Sequence, residues 1–155
     1  HTYAAGLSLK EENLDAFTQR FLKLAADEII PEQMTPQIDI DAVLDLQDIN
    51  AKFMSELKKM NPFGPDNQKP VFCSLGVKDY GTSKLVGKDL EHIKLELIDD
   101  KSNTPIHGIA FGMHQHNTHI KNMKPFNICY TIEENTYNGN TSLQLMVKDI
   151  KENDI

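Results

Sequence analysis

Over the first sixty positions apolar residues recur at helical spacing, and beyond position 70 they alternate with polar ones. Leu14, Phe17, Phe21, Leu24 and Ala25 stand at three- and four-residue steps, so residues 10–30 are predicted to form an amphipathic helix. Ser8 followed by Glu11 has the spacing of a capping box, and Pro31 is expected to stop the helix. Gln37 to Val43 alternates like a short strand. Asp45 or Leu46 is then expected to open a second helix with Ile49, Phe53, Leu57 and Met60 along one face. Two helices and two short strands cannot bury both helix faces, so this half is expected to complete a larger domain.

Asn61-Pro62-Phe63-Gly64-Pro65-Asp66-Asn67-Gln68-Lys69-Pro70 interrupts both patterns. Proline fixes φ, lacks an N–H and pushes the residue before it out of the helical region. Residues 61–70 are therefore expected to form a rigid joint between residues 1–60 and residues 71–155.

After the joint the strand signals follow in a definite order. Residues 71–87 read as one long first strand, with Gly76 and Gly81 at bulge or bend positions. His92 to Ile98 alternates cleanly, which places Ile93, Leu95 and Leu97 inward and His92, Lys94 and Glu96 outward. A third strand runs through Ile106 to Gly112, residues 113–124 read as a short helix or loop, and a fourth strand spans Phe126 to Glu133. Asn138-Gly139 is a strong hairpin signal leading to a fifth strand, Ser142 to Ile150, with Leu143, Leu145 and Val147 inward. The expected fold is an α+β fragment followed by an all-β five-stranded barrel in the strand order of an OB-fold.

Charge narrows the possible partners. The 155 residues carry a net charge of −7, which argues against a strongly basic nucleic-acid binder. Residues 1–69 hold 7 basic and 12 acidic groups, and residues 70–155 hold 9 and 11 with five of the six histidines, so any anion site is expected locally in the second half. OB-folds commonly bind single strands across the second and third strands, using cations for phosphates and aromatics for bases. Lys84 and Lys88 fall on the rim of the first strand, His92 and Lys94 project from the second, Tyr137 and Asn138 sit at the hairpin tip, and Lys148 points outward from the fifth. The same residues also read as ordinary solvation of exposed strand faces, and Asp89 and Glu91 beside Lys88 weaken the patch.

His114-Gln115-His116-Asn117-Thr118-His119 has the composition of a metal site, but the three imidazoles face one another only partly on a helix. No carboxylate lies between Asp100 and Glu133, so an exposed polar segment is expected and no bound metal. Cys73 and Cys129 lack CxxC spacing and read as small buried hydrophobes. No long apolar run or secretory signal is present, which leads to the expectation of a cytoplasmic protein without membrane contact. Residues Thr2 to Leu9 read as a strand already under way, so the chain is expected to be a piece of a longer protein.

Four segments, in order along the chain, resemble the RecJ family of single-stranded-DNA-specific exonucleases of the DHH phosphoesterase superfamily. His1-Thr2-Tyr3-Ala4-Ala5-Gly6-Leu7 is similar to the end of the Gly-Gly-His-x-x-Ala-Ala-Gly motif of the DHH-associated domain. Asn61 to Phe72 resembles the Pro-Phe-Gly-x-x-Asn-x-x-Pro-x-Phe joint. Val86-Gly87 with His92-Ile93-Lys94-Leu95, and Asn135 to Gly139 with Ser142-Leu143-Gln144-Leu145, complete the match.

The resemblance implies 5′→3′ hydrolysis of single-stranded DNA in recombination and repair by the parent protein. It also implies two Mg2+ or Mn2+ ions held by an upstream DHH domain of the same polypeptide. Residues 1–60 would end the DHH-associated domain, His1 would lie near the nucleotide, and residues 71–155 would be the OB-fold that grips the strand. No Asp-His-His occurs here, so the segment is expected to be inactive alone and to bind no cofactor. Two alternatives stay open: an OB-like protein-interaction module without a direct DNA role, and a metal-dependent hydrolase built on the histidines.

Overall fold

The computed structural model describes residues 4–137 and 139–153. The chain forms two compact units, His1–Ile38 and Asp39–Ile155. In the first, a 3-10 turn over Glu11–Asn13 leads into helix α1 (Leu14–Glu28), which ends where Ile29 turns extended ahead of Pro31. Ser8 does not cap this helix. The Asn13 N–H donates to the Lys10 carbonyl at 2.9 Å, so the 3-10 turn takes the place of a side-chain cap. The apolar stripe of α1 stays open: none of its residues is buried, and the Phe17 and Phe21 rings stack one turn apart at 5.7 Å.

The second unit contains strands β1 (Ala42–Val43), β2 (Phe72–Asp79), β3 (Lys84–Val86), β4 (His92–Asp99), β5 (Ser102–Ala110), β6 (Phe126–Tyr137) and β7 (Asn140–Glu152). Helix α2 (Ala51–Lys58) precedes β2, and the short α3 (Asn117–Lys121) lies between β5 and β6. The second helix starts later than expected. Residues Leu46–Asp48 make only a 3-10 turn, and the Asn50 Oδ1 then caps α2 by accepting from the N–H groups of Lys52 and Phe53 at 3.0 and 3.1 Å.

The architecture is a seven-stranded mixed sheet in the order β1-β2-β6-β7-β5-β4-β3, with six strands after residue 70 where five were expected. β1 is the short strand expected before the joint, and the extra strand is β3. The strand read over 37–43 shrinks to Ala42–Val43, the only positions that pair with β2, opposite Phe72 and Cys73. The long first strand splits because the Asp79 carboxylate accepts the Ser83 N–H at 3.1 Å and Gly81 takes φ of 106°, so the chain turns before β3.

Besides β1, β2 reaches two further neighbours. Its register shifts between Ser74 and Val77, where Gly76 adopts φ of 66°, and the bend lets its first part pair with β6 while Lys78 and Asp79 pair with Ile98 and Leu97 of β4. The pairings of β2, β6, β7, β5 and β4 therefore run round a closed circuit. Inside it, register stacks the buried core in rows: Ile93, Ala110, Val147 and Tyr130 in one, and Leu95, Gly108, Leu145 and Ile132 in the next. Space is tight at Gly108, where an added Cβ would stand 3.4 Å from the Leu145 carbonyl oxygen and 3.5 Å from the Leu95 Cβ.

Residues 61–70 belong to this same unit, and the two units part before Asp39 instead. The Asn67 side-chain amide donates to the carbonyls of Met60 (2.9 Å) and Pro62 (2.8 Å). Gly64 and Asn67 exchange backbone bonds around a turn whose third residue, Asp66, takes φ of 64°. Phe63 packs on the core and Pro70 is buried, so the stiff segment is folded onto its unit. No helix among the described residues is long and apolar enough to cross a membrane.

Candidate nucleic-acid interface

On the outer face of the sheet, register places Lys84 of β3 directly opposite Lys94 of β4, with Ile109 of β5 and Met146 of β7 continuing the row. The adjacent row runs Glu96, His107, Gln144, Glu133. Lys94, His107, Asn135, Ser142 and Gln144 line a groove of about 360 Å³. Lys84 and Lys94 are exposed, and neither pairs with a carboxylate among the described residues, whereas Lys58, Lys69, Lys78 and Lys101 do. Like charges directly opposite on a sheet are destabilising. An anion laid between them removes that repulsion.

The other residues singled out from the sequence are dispersed. The Gly112 N–H donates to His92 Nδ1 at 3.0 Å, which leaves Nε2 to carry the proton toward Glu91 Oε1 at 3.3 Å. The Phe111 ring stands edge-on to His92 at 4.9 Å. His92 is thus a fixed, partnered ring. Lys88 is exposed on the turn from Gly87 (φ 98°) to Glu91, where the Asp89 N–H donates to the Glu91 carboxylate. Backbone hydrogen bonds, Glu91's own first, hold that carboxyl below its usual range, so an anionic neighbour accompanies Lys88. Lys148 is the extra residue of a bulge in β7, because Tyr130 pairs with Val147 and Cys129 with Asp149. It does not line the groove. His1, Asn138 and the side chain of Tyr137 lie outside the described residues.

Sequence reasoning missed three side chains on this face. His107 and two exposed aromatics, Phe111 (54% exposed) and Tyr80 (49%), were not singled out. A signal existed for Phe111: it falls one position past the end of β5 and precedes Gly112 with φ of 68°. Glu96 moderates the face, with its carboxylate bonded to the Thr82 hydroxyl and 3.6 Å from His107 Nδ1.

The histidine cluster is used differently from the exposed segment expected. His116 Nδ1 lies 2.7 Å and His119 Nδ1 3.2 Å from the two oxygens of Glu152, and His119 Nε2 lies 3.2 Å from the Pro125 carbonyl. The carboxylate comes from the end of β7, and the His119 side chain is 9% exposed. These residues pin a strand end. Among the described residues no group of three His, Cys, Asp or Glu could hold a metal. Mg2+ and Mn2+ prefer oxygen ligands, and the single carboxylate here is already taken by imidazoles, so the cluster does not fit them. Cys73 and Cys129 face each other across β2 and β6 as buried free thiols, and burial pushes both pKa values up, which leaves them unreactive.

A family model described as the RecJ OB domain matches residues 40–149, more than half of the chain and wholly within the second unit. The chain belongs to the RecJ OB domain family. Curated relatives named single-stranded-DNA-specific exonuclease RecJ include those of Haemophilus influenzae, 27% identical over 151 residues, and Bacillus subtilis, 27% identical over 150. The matches cover 97% and 96% of this chain but 26% and 19% of those proteins, so the chain spans about a quarter or less of their length. The structure of RecJ in complex with Mn2+ from Thermus thermophilus matches 97% of this chain and 21% of that one, with a TM-score of 0.73 at 17% identity. That likeness is one of fold. In this RecJ OB domain the opposed pair Lys84–Lys94 lies on the outer surface of β3 and β4, and the groove beside it runs from Lys94 across β5 to β7 and β6.

Proposed function

We propose that the chain is the C-terminal substrate-handling segment of a bacterial single-stranded-DNA-specific 5′→3′ exonuclease acting in recombination and repair. In this reading β2, β4, β5, β6 and β7 are the five strands of an OB barrel, and the strand crosses its β4–β5 face. Residues up to Ile38 end the DHH-associated domain. A DHH domain elsewhere in the same polypeptide performs phosphodiester hydrolysis with Mg2+ or Mn2+, in the cytoplasm.

The observation that carries this reading is the direct opposition of Lys84 and Lys94, neither paired with a carboxylate among the described residues. Lys88 and Lys148 add charge at the margins, while Phe111 and Tyr80 offer exposed rings for stacking, worth about 1–3 kcal/mol per base. Fluorescence anisotropy with labelled oligo(dT) tests it. Binding is expected to weaken as salt rises, and Lys84→Glu/Lys94→Glu is expected to lose about tenfold or more. A protein-interaction role is favoured by a different feature, an apolar hollow of about 320 Å³ at Phe53, Met60 and Phe72, rimmed by Asp41 and Glu56. That reading prevails if the double variant binds DNA as well as the wild type.

A further inference from the structure

The groove at Lys94 does not end at His107. His107 and Ser142 also line a second hollow, of about 440 Å³, so the two spaces are contiguous. Along β5, His107 and Pro105 stand two and four residues beyond Ile109, the partner of Lys94, or about 7 and 13 Å at strand rise. A chain lying over the lysines meets this hollow next.

The two spaces differ in chemistry. The second has an apolar floor of Leu46, Ile49, Ile106 and Leu143, the first two buried. Its rim carries Gln47, Ser102 and Thr104. The Ser102 hydroxyl donates to the Thr104 carbonyl at 3.0 Å, while the Gln47 amide and the Thr104 hydroxyl make no hydrogen bond to another described residue. The cation beside it is already neutralised: Lys101 Nζ lies 2.7 Å from Asp45 Oδ2. The hydrogen bond and charge of Asp45, followed by the charges of Asp99 and Asp48, push the Lys101 pKa up, which marks an acidic neighbourhood.

A phosphate is repelled from such a place. A nucleobase is not, because its flat face suits the apolar floor and its edge needs neutral partners such as a free amide and hydroxyl. The nearby carboxylates of Asp99 and Asp48 further favour a base edge that donates hydrogen bonds. Cytosine and adenine present an exocyclic amine where thymine presents a carbonyl, and a side-chain amide can pair with adenine through two bonds at once.

Resting on the single-strand reading above, we propose that this hollow is a nucleobase pocket. It takes one base of the strand held over Lys84 and Lys94, and it prefers a base with an exocyclic amine to thymine. Gln47 reads the base edge, and Leu46 and Ile106 support its face.

The test is a positional scan. Labelled dT oligonucleotides, each with one dT replaced by dC or dA, are titrated with the wild type, Gln47→Ala, Thr104→Val and Lys84→Glu/Lys94→Glu at fixed low salt. One position is expected at which the replacement tightens wild-type binding about fivefold or more, the lower range for a good base contact. Gln47→Ala and Thr104→Val are expected to flatten that preference, so that each variant binds the dC- and dA-containing oligonucleotides as it binds oligo(dT). The lysine variant is expected to weaken every oligonucleotide alike. A flat scan on wild type that binds oligo(dT) overturns the pocket and leaves the DNA-binding reading standing. A preference that survives in both pocket variants overturns the assignment to this hollow. Absence of oligo(dT) binding by the wild type overturns both.

Discussion

The Tyr130 hydroxyl lies 2.7 Å from the Ser74 Oγ in the interior of the second unit. Ser74 donates to the Leu44 carbonyl, also at 2.7 Å, so its proton is committed and Tyr130 must donate to Ser74. This relay ties β6 to β2 and to the chain just after β1. Ser74→Ala leaves the phenol and the Leu44 carbonyl without partners and is expected to cost about 1–3 kcal/mol. Tyr130→Phe leaves the Ser74 bond to Leu44 intact and is expected to cost about 0.5–1.5 kcal/mol. Urea unfolding midpoints separate the two, and equal losses would mean that the relay does not run in this direction.

The same phenol makes stability depend on alkaline pH. Burial, partly offset by the Ser74 hydrogen bond, pushes its pKa well above the ordinary tyrosine range. In the unfolded chain the group ionises near pH 10, roughly, while the folded state keeps its proton. Its contribution is therefore complete below about pH 10 and declines above it, by up to about 1.4 kcal/mol per unit, because the unfolded state loses the proton first. Between about pH 9.5 and 11.5 the wild type is expected to lose stability more steeply than Tyr130→Phe. Parallel slopes would remove Tyr130 as the cause.

Opposed lysines predict a trade between stability and binding. Lys84→Gln or Lys94→Gln relieves the cross-strand repulsion and is expected to raise unfolding stability by a few tenths to about 1 kcal/mol. The same change is expected to weaken oligo(dT) binding and to reduce the slope of log affinity against log salt by about 0.7. Loss of stability in either variant would instead assign these side chains a packing role.

Gly108 sets the width of the interior. An alanine Cβ there meets Leu145 and Leu95 at ordinary contact distance, so Gly108→Ala is expected to change stability by less than about 1 kcal/mol. The branched side chain of Gly108→Val has no such room and is expected to lose about 1–3 kcal/mol by chemical denaturation. Similar stability for both would show that the rows of β5 and β7 separate easily.

Local chemistry was legible where one period dominates. The alternation of His92 to Ile98 marks β4 with Ile93, Leu95 and Leu97 fully buried, and the Asn-Gly signal falls between Tyr137 and Asn140, the closing pair of β6 and β7. Pairing partners were not legible. Nothing local distinguishes Ile38 and Ile40, which alternate but find no partner, from Ala42 and Val43, which do. Nor does spacing show that Asp79 turns the chain before β3, or that Leu46 docks by donating its N–H to Asp99 at 2.7 Å. The candidate site was half readable for the same reason. Lys84 and Lys94 stood out as outward cations, but their direct opposition is a fact of register, and His107 and Gln47 join the surface only through contacts between distant segments. Likewise, Glu152 reaches His116 and His119 only once β7 is in place.

β7, the last strand of this sheet along the chain, occupies an interior position in it, antiparallel to β6 and parallel to β5. Every strand before it can form only an open set of edges, so the circuit cannot close until residues as late as Val147 and Ile150 are available. Synthesis of the preceding strands therefore produces a chain with exposed β edges and no finished core, and these long-range pairings favour slow, late folding. A nascent chain on the ribosome is expected to remain protease-sensitive until this strand emerges from the exit tunnel, and then to become resistant in a single step.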